Sequence, residues 1–431
     1  LVVGLLMKVT ENYIEILQLI YLFCGLLSFV FIYLICKDFK FSKKISMIVS
    51  IILMVLPTSI LYENHLYKEY LTFFFLLAVF YSSNKLYNNF NSYKYILYFS
   101  LTLSLLCLTR ETFHIFWGYV FIFFIQKNLS NSKKILLILI FTTIVSPFYF
   151  KNLFIFNKFA ISAASTYEHL NQKIDFIKEM KNPNNHAKLR QFTFGDFENF
   201  KKFKNKGSLL FDTPLYSGAD YYKSILNYKN KSKIKILNSS TLFNEVYFEV
   251  EKFRKQDYLL ILKEQPGLLM LNFLNSATRH LFSSSDYFGF TKHNADRMKY
   301  MIKFVDCLKL TPICFYEYGF TKKTSFIGGN SYESIDTGPL NYKEKIIFAF
   351  QHTNFLLLIV YLSLLFFLFK GIFVKKNISL INFWLLTFFF IFLILIIFED
   401  GEISRHRFPF DYLSFLIFLS IFKKKFERKL D

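Results

Sequence analysis

This chain of 431 residues carries 52 Lys and Arg against 31 Asp and Glu, with 53% hydrophobic, 21% aromatic and 19% charged residues. Such a composition is far more apolar than that of a soluble globular protein, and it predicts an integral membrane protein. The formal charge of +21 does not indicate nucleic-acid binding, because membrane proteins place Lys and Arg in cytoplasmic loops and the sequence has no basic, aromatic recognition module.

Apolar runs that can form membrane-crossing helices follow one another along the chain. They lie at 14–36, 45–61, 68–83, 94–109, 111–125, 135–154, 346–369, 378–398 and 408–422. We therefore predict about nine spans. The fourth and fifth runs meet at CLTRETFH, where Arg110 and Glu111 predict a tight turn between two short helices. A single kinked, partly re-entrant element is the alternative.

Lys and Arg in short loops predict the orientation of these spans. The loops KDFKFSKK, NKLYNNFNSYK, QKNLSNSKK and KGIFVKK and the tail KKKFERK carry four, two, three, three and five basic residues, and they share one side if every run crosses. The opposite short loops, YENHLYKE, TRET and EDGEISRHR, carry four basic residues against six acidic ones. This pattern places the Lys-rich loops in the cytoplasm.

Hydropathy divides the chain into three predicted parts. Residues 1–154 form an N-terminal bundle of six spans, and residues 346–431 form three further spans and a basic cytoplasmic tail. Residues 155–345 are polar and rich in Lys and Asn, and apolar positions three and four apart predict a mainly helical domain outside the cytoplasm. The fold class is thus an all-α, multi-span membrane bundle with an extracytoplasmic domain between spans six and seven.

The cysteines divide by location. Cys24, Cys36 and Cys107 lie in or beside spans, where a thiol behaves as a small apolar group. Cys307 and Cys314 both lie in the polar domain, where an oxidising compartment would allow a disulfide. The sequence has no CxxC, HExxH, GxSxG, P-loop or GxGxxG motif, so it gives no signature of the usual soluble chemistries.

Acidic and basic residues occur together in each of the three predicted outer loops. Because charge at the membrane boundary is costly and tends to be functional, we expect these residues to converge on one cleft rather than serve as separate anchors. The candidate residues are Glu63, His65, Lys68, Glu69, Arg110, Glu111, Glu402, Arg405, His406 and Arg407.

The run RHRFPFDYL predicts a loop that carries Arg405 and Arg407 to the mouth of the last span. Arg suits planar, bidentate recognition of phosphate, and a lipid phosphate lies at this depth. We expect the phosphate of a membrane lipid to be bound by Arg405, Arg407, Arg110 and Lys68. His65 and His406 are candidates to orient phosphate oxygens or to carry protons.

Four segments together resemble one enzyme family. GEISRHRFPFDYLSFLIFLSIF is similar to the last span of GT-C glycosyltransferases of the protein mannosyltransferase and aminoarabinose transferase type. LPTSILYENHLYKEYLTFFFLLAVF resembles the family's Pro-ended span, short outer loop and helix-starting acid, here Glu69. LCLTRETFHIFW and SPFYFKNLFIFNKFAISAAS, with Pro147, Asn152, Asn157 and Lys158, resemble further segments in the same order.

The resemblance covers residues 1–165 and 346–425 and implies a function. Similar enzymes transfer a sugar from a polyprenyl-phosphate donor to a lipid, glycan or protein acceptor on the outer face of the membrane, here by expectation the bacterial inner membrane. The family's catalytic Asp lies in the first outer loop, and the resemblance implies that this loop precedes Leu1. The catalytic base is therefore not assigned to a residue of this sequence.

Other functions remain open at this level. A polysaccharide polymerase or O-antigen ligase also has many spans and a large outer segment with arginines. A transporter would be expected to show broken helices or inverted repeats, which this sequence does not show, and a non-catalytic membrane scaffold is a further alternative. A divalent cation is a candidate cofactor for which the sequence gives no ligand set.

Overall fold

A computed structural model provides the structure, which describes residues 12–56, 59–60, 63, 68–126, 129–156, 159, 263, 266, 354–374, 379–398 and 403–430. All regular secondary structure in these residues is helical and none of them lies in a strand, so the all-α prediction is confirmed for this part of the chain. The chain divides into two compact units. One comprises Leu1–Pro147, Thr278–Leu393 and Gly401–Asp431, and the other Phe148–Ala277 and Ile394–Asp400.

The described α-helices are named in chain order. They are α1 (Tyr13–Asp38), α2 (Lys43–Val55), α3 (Lys68–Asn88), α4 (Tyr93–Thr109), α5 (Ile115–Ile125), α6 (Asn131–Phe156), α7 (Phe355–Phe369), α8 (Leu380–Phe398) and α9 (Ile403–Leu430). A 3₁₀ turn, Glu111–Phe113, lies between α4 and α5, and a π-helix, Lys370–Val374, follows α7. The tight turn predicted at Arg110 and Glu111 is therefore present.

Three helical stretches are long and apolar enough to cross a membrane: Tyr13–Asp38, Asn131–Phe154 and Phe355–Phe373. Shorter apolar helices occur at Tyr93–Thr109, Ile115–Ile125 and Leu380–Ile394. These stretches give the chain the character of a membrane protein. The nine spans and their orientation stay predictions.

Local chemistry sets several helix ends. The Ser42 hydroxyl accepts from the backbone N–H of Ile45 at 3.3 Å at the start of α2, and the Asn354 side chain accepts from Leu357 at 2.9 Å at the start of α7. Each bond satisfies a donor that the first turn of a helix leaves without an intrahelical partner.

The α1–α2 turn contains Lys40, a non-glycine residue with a positive φ of 62°.

The run RHRFPFDYL is helical, so the predicted loop is wrong. Helix α9 begins at Ile403, and its first turns contain Arg405, His406 and Arg407. Pro409 lies inside the helix and removes one backbone N–H donor. Arg407 and Asp411, four residues apart, form an ion pair that only helical spacing brings together, and this pair supports the helix across the proline.

Helix α2 has the reverse of the polarity expected in water. It packs against α1, and its buried residues are Ser46, Ser50 and Leu53. Its outer face is apolar, with Ile48 and Val55 being 54% and 61% exposed. Both buried hydroxyls donate to the carbonyl four residues earlier, Ser46 at 2.9 Å and Ser50 at 2.8 Å. A helix with this arrangement suits a lipid environment, where small residues pack against protein and large apolar ones face acyl chains.

An aromatic core joins α3, α5 and α8. The side chain of Trp384 is fully buried, and its ring lies 5.4 Å from that of Phe80 and 5.1 Å from that of Phe121. Its indole N–H donates to the Ser83 hydroxyl at 3.3 Å. Helix α3 also packs against α1, α4 and α9, so it is the helix around which this unit is arranged.

The second unit is described only in short pieces. Its part of α6 includes Tyr149, which is buried and lies 5.0 Å from the ring of Phe159. Within the predicted polar domain 155–345, the structure describes the end of α6, Phe159, Lys263 and Pro266. Lys263 and Pro266 are helical and exposed. The remainder of that domain, including Cys307 and Cys314, lies outside the described residues.

The aromatic core gives a test of the packing. We expect Trp384→Ala to lower the free energy of unfolding by about 3–5 kcal/mol, because it removes a fully buried aromatic side chain and leaves a cavity. Phe390→Ala, on the same helix, is the matched control, since the Phe390 side chain is 56% exposed. Unfolding of the purified protein in one detergent would measure both. Equal losses for the two variants would contradict the packing.

Candidate functional site

A buried ion pair joins the start of α3 to the end of α4. The guanidinium of Arg110 lies 3.6 Å from a carboxylate oxygen of Glu69, with side-chain exposures of 5% and 0%. Arg110 directly follows α4 in an extended backbone conformation, with φ −149° and ψ 144°. Each charge offsets the cost of burying the other, and removing one partner of such a pair typically costs about 3–5 kcal/mol.

A second buried arginine lies at the start of α9. The Arg407 side chain is 1% exposed and its Nε donates to Asp411 at 2.9 Å. The other oxygen of Asp411 accepts from the Tyr361 hydroxyl of α7 at 3.0 Å. Asp411 therefore orients the guanidinium and ties α9 to α7.

Aromatic contacts bring the two ion pairs to the same end of the bundle, where α3 packs against α9. Tyr70, next to Glu69, stacks on Phe408, next to Arg407, with ring centroids 6.4 Å apart. Phe113, in the turn after Arg110, stacks on Phe410 at 5.7 Å. We call the group formed by Glu63, Glu69, Tyr70, Arg110, Arg407 and Asp411 the arginine cluster.

Glu63 is the third carboxylate of the arginine cluster. Its Oε2 accepts from the Tyr70 hydroxyl at 2.8 Å. Gly25 of α1 allows this pair to approach, because a Cβ at that position would lie 2.8 Å from the Tyr70 hydroxyl and 2.9 Å from Glu63 Oε2. Burial raises the pKa of the Glu63 carboxyl above its usual range, and the Tyr70 hydrogen bond opposes only part of that rise.

The structure places some of the predicted site residues together. Glu69 and Arg110 form an ion pair, Glu63 lies against Tyr70, and Arg407 joins the arginine cluster through the aromatic contacts of its helix. Lys68 is exposed at the first position of α3. The side chains of five other predicted residues lie outside the described part of the structure: His65, Glu111, Glu402, Arg405 and His406.

Three residues of the site were not predicted. The sequence contained a signal for Asp411, because it lies four residues after Arg407. That spacing indicates an ion pair only if the segment is interpreted as a helix. Tyr70 and Tyr361 had no signal, because they are 2 of 28 tyrosines and only the packed structure shows their carboxylate partners.

The arginine cluster combines fixed positive charge with carboxylates in a low-dielectric place. The planar guanidinium group suits an anionic ligand that presents two oxygens to its N–H fork, such as a phosphate. Among the described residues, no three His, Cys, Asp or Glu side chains are close enough together to hold a metal ion.

Comparison with protein-family models, with curated proteins and with solved structures finds no match to this chain. Any function assigned to the chain therefore depends on its own residues and on the geometry of the arginine cluster.

The raised pKa of Glu63 predicts a pH dependence of stability. The folded protein keeps this carboxyl protonated at pH values where the unfolded chain has released the proton. The resulting stabilisation is present below the usual Glu pKa of about 4.3 and is lost as pH rises through the higher folded value. We therefore expect the stability of the wild type relative to Glu63→Gln to fall across that interval.

Thermal unfolding of both proteins at a series of pH values would measure this difference, since glutamine keeps the acceptor oxygen but does not titrate. Glu15→Gln, at an exposed position of α1, is the matched control for removing one carboxylate. A stability difference that is the same at every pH would show that Glu63 has no raised pKa.

Proposed function

We propose that this chain is a membrane glycosyltransferase that transfers a sugar from a polyprenyl-phosphate donor to a lipid, glycan or protein acceptor. In this proposal the chain is a multi-pass protein of a bacterial inner membrane, and the arginine cluster lies at the outer face. The sequence resemblance to GT-C enzymes supports the reaction class, and the arginine cluster supports the position of the donor phosphate.

The observation that carries the proposal is the pair of buried arginines. Arg110 and Arg407 come from segments almost 300 positions apart, yet both lie at the end of the bundle where Tyr70 contacts Phe408. A carboxylate orients each guanidinium, and exposed Lys68 adds a third cation beside Glu69. Cations at helix ends lie at the depth where a lipid-linked phosphate meets the membrane boundary.

The reaction breaks the bond between the sugar anomeric carbon and the phosphate oxygen, and it forms a bond from that carbon to an acceptor oxygen or nitrogen. The leaving polyprenyl phosphate keeps the bonding electron pair and is already a stable anion near neutral pH, so it needs little general-acid assistance. In the proposal, Arg110 and Arg407 stabilise the charge that grows on its oxygens in the transition state.

The carboxylates of Glu69 and Asp411 have a positioning role in this scheme. They hold the guanidinium groups in place before the donor arrives, so the enzyme does not reorganise these charges during the reaction. The acceptor also loses a proton, which passes to a base that we do not assign to any described residue.

Substitution of the arginines tests the proposal. We expect Arg110→Ala and Arg407→Ala each to lower turnover on the order of one hundredfold or more, as removal of a transition-state donor does. Lysine at either position restores part of the turnover, because it returns the charge without the guanidinium fork. The assay is release of polyprenyl phosphate from lipid-linked sugars extracted from the membranes of the source organism.

Double variants distinguish a loss of folding from a loss of catalysis, because they replace both members of an ion pair and leave no charge buried alone. Arg407→Met with Asp411→Asn removes the buried charge together with its partner, and Arg110→Met with Glu69→Gln does the same at the other pair. Both double variants are expected to insert and unfold like the wild type and yet to lack activity. Turnover near the wild-type rate in either double variant would reject the proposed phosphate site.

The proposed orientation is tested by cysteine labelling. In a background with the five natural cysteines replaced, a membrane-impermeant maleimide added from outside is expected to modify Asn230→Cys and to spare Ser130→Cys. The reason is that position 230 belongs to the predicted outer domain and position 130 to a Lys-rich loop. Labelling of position 130 alone would reverse the topology.

A further inference from the structure

The basic residues at the other end of the bundle differ in how they are used. Lys85 donates to Asp38 at 2.6 Å, Lys37 donates to the Phe41 carbonyl at 3.3 Å, and Lys423 donates to the Lys40 carbonyl and lies 5.0 Å from the Phe41 ring. Lys85 joins α3 to α1, Lys423 joins α9 to the α1–α2 turn, and Lys37 supports that turn. Their charges therefore have a structural use within the protein.

Lys43 and Lys44 are different. Both side chains are exposed, and neither has a hydrogen-bond or ion-pair partner in the part of the chain that the structure describes. They occupy the first two positions of α2, whose first turn contains no acidic residue. Cations are unfavourable at this end of a helix, because the backbone N–H groups already give it a partial positive charge. An anion near both lysines would relieve that repulsion.

A groove begins at these two lysines. It is a shallow, broadly open depression with a volume of about 520 Å³, lined by Tyr33 of α1 together with Lys43, Lys44, Met47 and Ile48 of α2. The volume lies within the range of small-molecule sites, about 300–1,000 Å³. Its lining surface is almost entirely apolar, so Tyr33, Lys43 and Lys44 contribute mainly the carbon atoms of their side chains to it, and the ammonium groups extend beyond. The groove therefore fits an amphipathic ligand with an anionic head.

An apolar stripe continues the groove along α2. Lys44, Ile48, Ile51 and Val55 succeed one another at spacings of four, three and four, so they lie on one face of the helix. The three apolar side chains of this stripe are 54%, 45% and 61% exposed. The α2 face is thus charged at one end and apolar along its remaining length, which matches the order of headgroup and acyl chain in a phospholipid.

We propose that this groove, with its stripe, binds one anionic phospholipid. The headgroup phosphate lies between Lys43 and Lys44, and an acyl chain follows Ile48, Ile51 and Val55. The inference is independent of the glycosyltransferase proposal, because it uses no residue of the arginine cluster. Charge complementarity and the exposed stripe identify the occupant as a lipid rather than a soluble anion.

The chain offers a matched control for the two lysines. Lys133 and Lys134 also stand side by side in the first turn of an apolar helix, α6, but Lys133 donates to the Asn91 side chain at 3.2 Å and lies 5.2 Å from the Tyr93 ring. Replacing either pair removes the same two charges. General attraction between a basic surface and anionic lipid predicts equal effects for the two pairs, whereas a site predicts unequal effects.

The experiment counts phosphatidylglycerol molecules bound to the purified full chain by native mass spectrometry during titration from phosphatidylcholine micelles. The wild type is expected to retain one tightly bound phosphatidylglycerol. Lys43→Gln with Lys44→Gln should weaken that binding by about tenfold or more, since each lysine near the headgroup contributes attraction. Lys133→Gln with Lys134→Gln should leave the tightest binding step unchanged, and Lys43→Arg with Lys44→Arg should preserve it.

The apolar half of the site is tested separately. Ile48→Gln with Ile51→Gln keeps both lysines and should also release the lipid, and glycerol phosphate without acyl chains should fail to compete. Equal weakening by the two lysine pairs would overturn the proposal in favour of general surface attraction. Full competition by glycerol phosphate would equally overturn it, because the stripe would then have no part in binding.

Discussion

Charged residues lie at both ends of α3 and α9, and they limit how this bundle can fold. Glu69 and Arg407 are at one end, and Lys85 and Lys423 are at the other. From Glu69 to Lys85 α3 rises about 24 Å, and α9 rises about the same from Arg407 to Lys423, at 1.5 Å per residue. The hydrocarbon core of a bilayer is about 30 Å thick. Each helix therefore carries ion pairs or cations at its two ends. The prediction that both helices cross the bilayer requires that every polar group between those ends be satisfied without water.

The bundle meets that constraint in two ways. Ser50, Ser100 and Ser104 donate to carbonyls of their own helices, and Ser46 donates to the carbonyl of the N-cap residue Ser42. The indole of Trp384 instead donates across to α3, and the hydroxyls of Ser82 and Thr102, 3.0 Å apart, join α3 to α4. Small polar groups therefore lie inside the bundle together with buried aliphatic and aromatic residues such as Leu76 and Trp384, while further large aliphatic side chains face outward, which is unusual for a water-soluble protein.

The arginine cluster differs from these small polar groups because it places full charges inside the bundle. Burying Arg110, Glu69 and Arg407 costs the hydration of three charges, and Asp411 loses part of its own because it is 21% exposed; an apolar replacement of similar volume is often as stable. Such an arrangement is useful where charge must be fixed in advance at a low-dielectric place. This is the condition under which electrostatic stabilisation of a phosphate leaving group is strongest.

Sequence patterns predicted the helices well where composition decides the structure. The apolar runs at 14–36 and 94–109 correspond to Tyr13–Asp38 and Tyr93–Thr109, and the turn at Arg110 is where the apolar run breaks. The segment around Pro409 was predicted wrongly, since a proline beside two arginines is typical of a loop unless the Arg407–Asp411 pair is recognised.

The partners within the arginine cluster were beyond sequence reasoning. The approach of Glu63 to Tyr70 depends on the absence of a side chain at Gly25, which only three-dimensional packing shows. Composition identified the charged residues, but it did not indicate which carboxylate faces which guanidinium. Phosphate binding by Arg110 and Arg407 stays a prediction.

The serine hydroxyls have a consequence for motion. The hydroxyls of Ser46 and Ser50 donate to carbonyls of α2 or of its N-cap residue. Because neither hydrogen bond reaches α1, neither fixes the position of α2 along α1. A slide of one helix along the other breaks no hydrogen bond of these two residues, whereas displacing α8 from α3 breaks the bond between Trp384 and Ser83. We expect shear in this protein to occur at the serine-lined seam between α1 and α2, with α3 and α8 moving as one rigid body.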